Sequence, residues 1–384
     1  MAVPALRVAD VDFNVGAMAE MVKKAHDSSV QVLAFPEMSI TSYTLGDLVH
    51  HQALLSKAIR GLETLLTQTS SGKEMLTVVG MPLLIEQRIF NCAVVFSSGK
   101  VLGVLPKTLL PTYKEFYEDR WWSPSSEART NTINLAGQEV PFGPDLLFRL
   151  NDSDAVVGVE ICEDLWYALA PHEYGALAGA NVLVNISASN EILGKAEWRR
   201  TMVRSESGRC SAAYCYTSCG IGESSNDIVY SGHALIAENG TILQESKTLA
   251  SVPQLIVSDI DIDRLNFDRR LSNSFRDASS RVSQYRTVET SVDDPRSETL
   301  MRDVDPHPFV PHDPARRAER CSDIFSMQVA ALGQKLRGAM KERLVIGISG
   351  GLDSTLALLV AAKTMDFLQL SRKNIHAFTL PGFA

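Results

Sequence analysis

The 384-residue chain has no apolar run approaching the roughly 18 residues that a membrane-crossing helix needs. Its first residues lack the charged-then-apolar pattern of a secretory leader. Cysteine is scarce. The six present (Cys92, Cys162, Cys210, Cys215, Cys219 and Cys321) form no CxxC and no disulfide framework. The 210–219 trio has no histidine near it in sequence, so zinc is a weak reading there. Positive charge is also short. A formal net charge of −8 provides no basic field for a nucleic-acid partner. With hydrophobic residues at 45% and charged residues at 21%, the composition is that of an ordinary soluble globular chain. The expectation is a reduced, cytoplasmic protein long enough for two domains.

Apolar runs with strand character occur at 30–37, 75–84, 92–98, 100–107, 155–162 and 180–189. Helical spacing covers 16–28, 47–70 and 195–215. Residues 233–246 read as a hairpin turning at Asn239-Gly240. Strands interleaved with helices predict a layered α/β domain over 1–262. The texture then changes. Residues 263–318 are charged and proline-punctuated, and read as a connector that wraps the domain, anchored by Phe267, Phe275, Tyr285 and Phe309. Residues 319–384 resume with a helix at 319–340, a strand at 344–350, a helix at 353–365 and a strand at 375–382. One βαβ unit cannot bury both faces of its strand pair unaided, so this second piece either leans on the first domain or is incomplete.

Three strand ends carry chemistry. VVGVEICEDLW places Cys162 at the end of an apolar run. AFPEMSITSY and LPKTLLPTYKEFYE place Glu37 and Lys107 each directly after a proline. A charge at such a position costs desolvation unless it is paired. An ammonium about 4 Å from a sulfur is worth up to roughly 4 kcal/mol at an effective dielectric near 20. That is roughly three pKa units, enough to bring a thiol from about 8.5 to below neutrality before burial opposes it. The expected chemistry is attack of Cys162 on a carboxamide carbon, with Glu37 relaying the proton. Lys107 and a backbone N–H near Glu163 would stabilise the oxyanion. Taken singly, Cys162 reads more readily as a buried small hydrophobe and Glu37 and Lys107 as solvated charges; the three together at strand ends carry the inference.

The second motif is VIGISGGLDST (345–355). Gly350 and Gly351 can turn successive N–H groups toward one point at the start of a helix, with Ser349 and Ser354 adding hydroxyls. No Lys precedes Ser354, so this is not a Walker loop.

The Glu–Lys–Cys set resembles the nitrilase superfamily, and PKTLLPTYKEFYEDR, VEICEDLW and NISASNEILGKAEWRR resemble the glutaminase half of the glutamine-dependent NAD+ synthetase family over most of the chain. The resemblance implies a nitrilase-type αββα sandwich followed by the first βαβ unit of a parallel-sheet, Rossmann-like ATP pyrophosphatase domain. It implies that Tyr113, Glu163, Ser189 and Lys195 line a glutamine pocket and that Glu115 is an auxiliary glutamate. Some relatives carry Arg where Lys195 stands, and Arg makes a forked carboxylate contact that Lys does not. SGGLDST resembles the SGGxDS loop of ATP pyrophosphatases, which implies ATP on Gly347, Ser349, Gly350, Gly351, Leu352, Asp353 and Ser354, with Asp353 positioning Mg2+. The implied reaction hydrolyses L-glutamine and passes ammonia to deamido-NAD+ adenylated by ATP, with no prosthetic group. The family's synthetase domain continues beyond position 384, so the chain reads as a fragment retaining the glutaminase step. A homo-oligomer is the superfamily's common state. Two alternatives stand beside this: a stand-alone amidase, which has no use for SGGLDST, and a scaffold that kept the sandwich without turnover.

Overall fold

A computed structural model describes residues 1–70, 74–151, 153–293 and 299–379. Two compact units divide the chain, Met1–Asp303 and Val304–Ala384. The boundary therefore falls inside the stretch that reads as a connector.

In the first unit the elements run α1 (Val11–Asp27), β1 (Val32–Ala34), α2 (Gln52–Thr69), β2 (Leu76–Ile85), β3 (Arg88–Ser97), β4 (Lys100–Pro106), β5 (Leu146–Leu150) and β6 (Val156–Ile161). They continue with α3 (Pro171–Leu177), β7 (Val182–Ser187), α4 (Lys195–Arg209), β8 (Ala213–Ser218), β9 (Ala234–Glu238), β10 (Thr241–Glu245), α5 (Ile262–Leu271), α6 (Asn273–Ser279) and β11 (Arg286–Thr290). One sheet has the order β1-β2-β3-β4; the other has seven strands, β10-β9-β8-β7-β6-β5-β11. Strands β6, β7 and β8 are mutually parallel and flanked by antiparallel neighbours.

Side-chain alternation along the strands sorts the core into layers. Ala34, Val78, Val95, Phe148, Val157, Val184 and Ile236 meet between the two sheets. The opposite face of the first sheet (Leu33, Val79, Val94, Phe96) packs on Val15, Met18, Leu62 and Leu65 of α1 and α2. The opposite face of the second sheet (Val156, Leu183, Tyr214, Leu235) packs on Ala176 of α3 and Val203 of α4. The result is the expected four-layer αββα sandwich. Both sheets are covered on both faces, which is why their central strands read as continuous apolar runs.

Several local readings need correction. The helical pattern at 195–215 ends at Arg209, with Ser211 at φ +44°, and Ala213–Ser218 forms strand β8. The aromatic and small residues AYCYTS suit a strand buried on both faces better than a helix end. Among its described residues the charged 263–318 stretch holds α5, α6, β11 and the start of the helix that begins at Pro314, and the register of β11 against β5 is parallel. Arg286 donates to Asp145 and to the Asn131 and Phe142 carbonyls, fixing that strand in place. Of the four aromatic anchors, Tyr285 packs on the core and Phe275 lies under the Arg269 guanidinium, whereas Phe267 and Phe309 are exposed. Leu265, fully buried, is the apolar anchor instead.

The second unit contains α7 (Pro314–Gly338), β12 (Leu344–Gly347), α8 (Leu352–Phe367) and β13 (Ile375–Phe378). The two strands are parallel and α8 is the crossover between them. Val329 and Leu336 of α7 and Val360, Ala361 and Met365 of α8 are buried. The strand expected at 375–382 is described as far as Phe378; positions 380–382 lie outside the described residues. Among the described residues, no helix is long and apolar enough to cross a membrane.

Candidate active site

Glu37, Lys107 and Cys162 each lie just past a strand of the sandwich. Glu37 follows β1 in a segment fixed by Phe35 N–H donating to the Val78 carbonyl and Ile40 N–H to the Gly80 carbonyl. Gly80 is required there: a Cβ would sit 2.1 Å from the Met38 nitrogen and 2.7 Å from the Glu37 carbonyl carbon. Lys107 follows β4, its N–H donating to the Asn91 carbonyl at 2.8 Å. Asn91 also donates from its side chain to Glu37 Oε1 at 2.6 Å, so a single β3 residue sets both partners.

Lys107 Nζ donates to Glu37 Oε1 at 2.8 Å and to Glu118 Oε1 at 2.8 Å. Neither the lysine nor the two glutamates has more than 1% of its side chain exposed. Burial alone would lower the Lys107 pKa, but Glu118 and Glu37 outweigh it and keep the ammonium charged. Burial, reinforced by Glu37, raises Glu118 to about 7 against the pull of Lys107. Tyr43 O–H donates to the same Glu118 oxygen at 2.6 Å. Glu37 Oε2 and Glu118 Oε2 are buried and accept no hydrogen bond among the described residues.

Cys162 follows β6 at φ +50°, in the left-handed region that a residue with a Cβ occupies only under constraint. The constraint is the turn Cys162–Leu165. Asp164 accepts from Ile161 N–H at 3.1 Å and Leu109 N–H at 3.0 Å, tying the cysteine turn to the lysine segment. The thiol is buried. Burial and then Glu37 push its pKa well up, Lys107 opposes them, and Glu118 adds to the rise. This corrects the expectation of a thiol ionised by its lysine. Burial first, and then the carboxylates that already share the ammonium, favour the protonated sulfur.

The other expected residues lie partly together. Tyr113 O–H donates to Glu163 Oε1 at 2.9 Å. Lys195 stacks over the Trp166 ring at 3.9 Å, its pKa lowered by burial and by Arg199. Ser189 is buried, its N–H bound to Ser218 Oγ. Glu115 is not at the lysine: it accepts from Asn190, and Glu118 holds the place expected of it. Glu118 opens a 3-10 turn whose N–H binds the Pro111 carbonyl, and this folds it back under Lys107 while Glu115 stays on the loop's outer part. A cleft of about 220 Å³ adjoins the set, lined by Tyr43, Glu115, Phe116, Tyr117, Trp121 and Tyr230. Glu118, Tyr43 and Asn91 were missed in the sequence because none sits at a strand tip in a marked context.

The glycine loop lies in the second unit. Gly350 has φ +85°, a conformation that a Cβ disfavours, at the turn from β12 into α8. Gly351 N–H donates to Ser349 Oγ at 3.3 Å, and Ser354 Oγ donates to the Gly351 carbonyl at 3.1 Å. Leu352 opens α8 and Asp353 lies in its first, exposed turn, so the N-terminal N–H groups of that turn face solvent.

A separate polar cluster lies on the helix side of the second sheet. His172 meets Glu160 through Nδ1 at 3.0 Å and Glu206 through Nε2 at 3.3 Å. Burial would lower its pKa, but the two carboxylates, Glu160 foremost, raise it to about 10. Donor atoms of His172, Glu206 and Cys210 lie within 4.8 Å of one another, a proximity that sequence spacing hid. A metal there would have to displace the imidazolium proton and ionise a thiol that burial pushes up to about 12, so the cluster stands as an ion-pair network.

A carbon-nitrogen hydrolase model matches residues 2–270, and the chain belongs to that family. Its relatives are more particular. The chain is 40% identical over 383 residues to the glutamine-dependent NAD(+) synthetase of Mycobacterium tuberculosis (strain ATCC 25618 / H37Rv), spanning 98% of this chain and 56% of that protein. The chain thus spans about half the length of the curated relatives it matches. Among solved structures it resembles a glutamine-dependent NAD(+) synthetase from Cytophaga hutchinsonii, with TM-score 0.60 and 23% identity over 95% of this chain and 51% of that one. It also resembles the synthetase from Acinetobacter baumannii in complex with ADP, with TM-score 0.57 and 19% identity over 99% and 59%. These likenesses show the nitrilase-type fold.

Proposed function

We propose that the chain hydrolyses the side-chain amide of L-glutamine at Cys162, as the ammonia-generating part of a glutamine-dependent NAD+ synthetase. The observation that carries this is the buried Glu37–Lys107–Glu118 ion triad beside a thiol held at positive φ. Two carboxylates and one ammonium without solvent exposure are costly to keep unless they serve chemistry.

The protonated Cys162 thiol gives its proton to Glu37, whose buried Oε2 is open to accept it, as the sulfur attacks the amide carbon. Glu37 then protonates the leaving ammonia, and in the second half it draws a proton from the water that cleaves the thioester. Lys107, fixed by its two carboxylates, and a backbone N–H of the Cys162 turn face the oxyanion. Glu163, oriented by Tyr113, suits the substrate's α-ammonium, and Lys195 and Ser189 suit its carboxylate.

The Gly347–Ser354 loop, with the first turn of α8, suits the phosphates of ATP. Asp353 offers one carboxylate, enough for Mg2+ that arrives on those phosphates. The nitrogen acceptor in this reading is deamido-NAD+ activated as its adenylate, and the relatives' names support that choice.

The test is ammonia release from L-glutamine and from a panel of simple aliphatic amides, with Cys162→Ala as the blank. Release from glutamine that the blank abolishes is expected. Preference for the simple amides would favour a general amidase and overturn the glutamine assignment. A Cys162→Ala variant as active as the parent would remove the site itself.

A further inference from the structure

Arg199 is the largest fully buried side chain among the described residues, and no step above uses it. It lies one turn past Lys195 on α4, so both point from the same helix face. One terminal nitrogen, Nη2, donates to Ser189 Oγ at 3.2 Å and to the Asn190 carbonyl at 3.2 Å. The other, Nη1, meets His233 Nδ1 at 2.8 Å and Glu191 Oε2 at 3.3 Å. Its Nε–H is buried without a partner among the described residues. The guanidinium lies over the Tyr216 ring at 5.7 Å.

The neighbours fix the direction of each bond. His233 Nε2 meets Glu245 Oε1 at 2.8 Å, and burial, with Arg199 beside it, lowers the imidazole pKa. A neutral ring whose Nε2–H donates to Glu245 presents Nδ1 as an acceptor, which Arg199 fills. The arginine is thereby held by His233, just before β9, backed by Glu245 of β10, and meets the Ser189–Glu191 segment. A Ser189 oxygen that accepts from a guanidinium cannot aim its hydrogen at it, so the hydroxyl hydrogen turns to the other side as a donor. Glu191 is the carboxylate that the guanidinium meets, at 3.3 Å.

We propose that Arg199 is a positioning residue that sets the protein's preference for amides bearing an α-carboxylate, acting through the Ser189 hydroxyl and together with Lys195. This rests on the glutamine reading above and names the group that gives Ser189 its orientation. A buried cation behind a hydroxyl donor, with a second cation one helical turn away, suits an anionic group. It gives no advantage to an amide that ends in hydrogen or alkyl.

The experiment compares alkylation of Cys162 by two probes in the whole chain. One is the diazo-ketone analogue of glutamine, which carries the α-amino and α-carboxylate groups; the other is chloroacetamide, which carries neither. Arg199→Lys keeps the charge but loses the fork. It should slow the diazo-ketone reaction roughly ten- to hundred-fold, the factor of one charge-assisted contact, and leave chloroacetamide within about two-fold. Ammonia release from glutamine should show the loss in KM more than in kcat. Ser189→Ala should show the same selectivity, and the double variant should lose little more than either single one. Equal slowing of both probes would mean that Arg199 only supports the fold, and no slowing would mean that it is idle. Additive losses would break the link through Ser189. Should Arg199→Lys fail to fold, Ser189→Ala with the two probes decides, because an unselective loss there removes the route. If neither probe labels Cys162 in the parent, the underlying site reading fails, an outcome distinct from failure of the arginine's role.

Discussion

Replacing Glu118 by Gln separates the positioning of the lysine from the ionisation of the thiol. Gln keeps the shape and a carbonyl oxygen for Lys107 Nζ and Tyr43 O–H but removes one negative charge from a cluster that is at most 1% exposed. At 2.8 Å and an effective dielectric near 20, the Coulomb attraction of one such pair is about 6 kcal/mol before desolvation is subtracted. The net value of a hydrogen bond to a charged group is nearer about 1.5–3 kcal/mol, so kcat/KM for glutamine should fall roughly 10- to 150-fold. The thiol should respond in the opposite sense. Glu118 is one of the groups that raise the Cys162 pKa, so its neutralisation favours the thiolate, and alkylation by a small neutral reagent should accelerate. The pH dependence follows from the Glu118 value of about 7. At pH 6 the parent's Glu118 is largely protonated, so parent and variant should react alike with the reagent. By pH 8 it is ionised, and the variant should lead. Steady-state ammonia release and timed alkylation from pH 6 to 8 read both effects. Turnover and alkylation falling together at every pH would refute the reasoning and point to a collapsed site.

Gly80→Ala, whose new Cβ would meet the Met38 nitrogen at 2.1 Å, should displace Glu37 and abolish glutamine hydrolysis; a fully active variant would show that Glu37 tolerates the shift. His172 has a folded pKa raised to about 10, so the stability from its ion pairs is complete below its ordinary 6.5 and is lost as pH rises through 10. His172→Gln should therefore cost a few kcal/mol at neutral pH and progressively less toward pH 10, read by denaturant melts at each pH; a pH-independent difference would contradict the imidazolium assignment. Gly350→Val, placed at φ +85°, should weaken pyrophosphate binding in calorimetry while leaving glutamine hydrolysis unchanged; unaltered binding would dissociate the loop from phosphate.

The site was legible in sequence wherever chemistry coincided with a strand end. Glu37, Lys107 and Cys162 announce themselves because an apolar run stops on a residue that should not follow one. The residues that tune them leave no such mark. Glu118 and Glu115 are equivalent in composition, and only a 3-10 turn bonded to Pro111 decides which carboxylate goes inward. Arg199 lies in a helix with little amphipathic pattern, in a charged sequence that resembles a solvated face, yet it is fully buried. Strand β11 was hidden because its partner β5 precedes it by more than a hundred residues and pairing at that distance has no local signal. The thiol's ionisation was misjudged for a related reason. The lysine was visible as a neighbour, whereas the depth of burial that raises the thiol most, and the second carboxylate that adds to the rise, were not.

That second carboxylate shapes the chemistry. With Lys107 held between Glu37 and an ionised Glu118, the three groups sum to one negative charge, and a thiolate added to them would face two carboxylates across a site without solvent. Charge separation before substrate arrives is thus disfavoured. In the reaction proposed above, transfer of the thiol proton to Glu37 during attack avoids it: the negative charge leaves the carboxylate as it appears on the sulfur and then on the substrate oxygen, so the net charge of the pocket is constant. Glu118 near pKa 7 sets how firmly Lys107 is held during that transfer. A buried, protonated cysteine also reacts slowly with adventitious electrophiles. On the proposed mechanism, reactivity rises when an amide occupies the place that Lys107 and the Cys162 turn define.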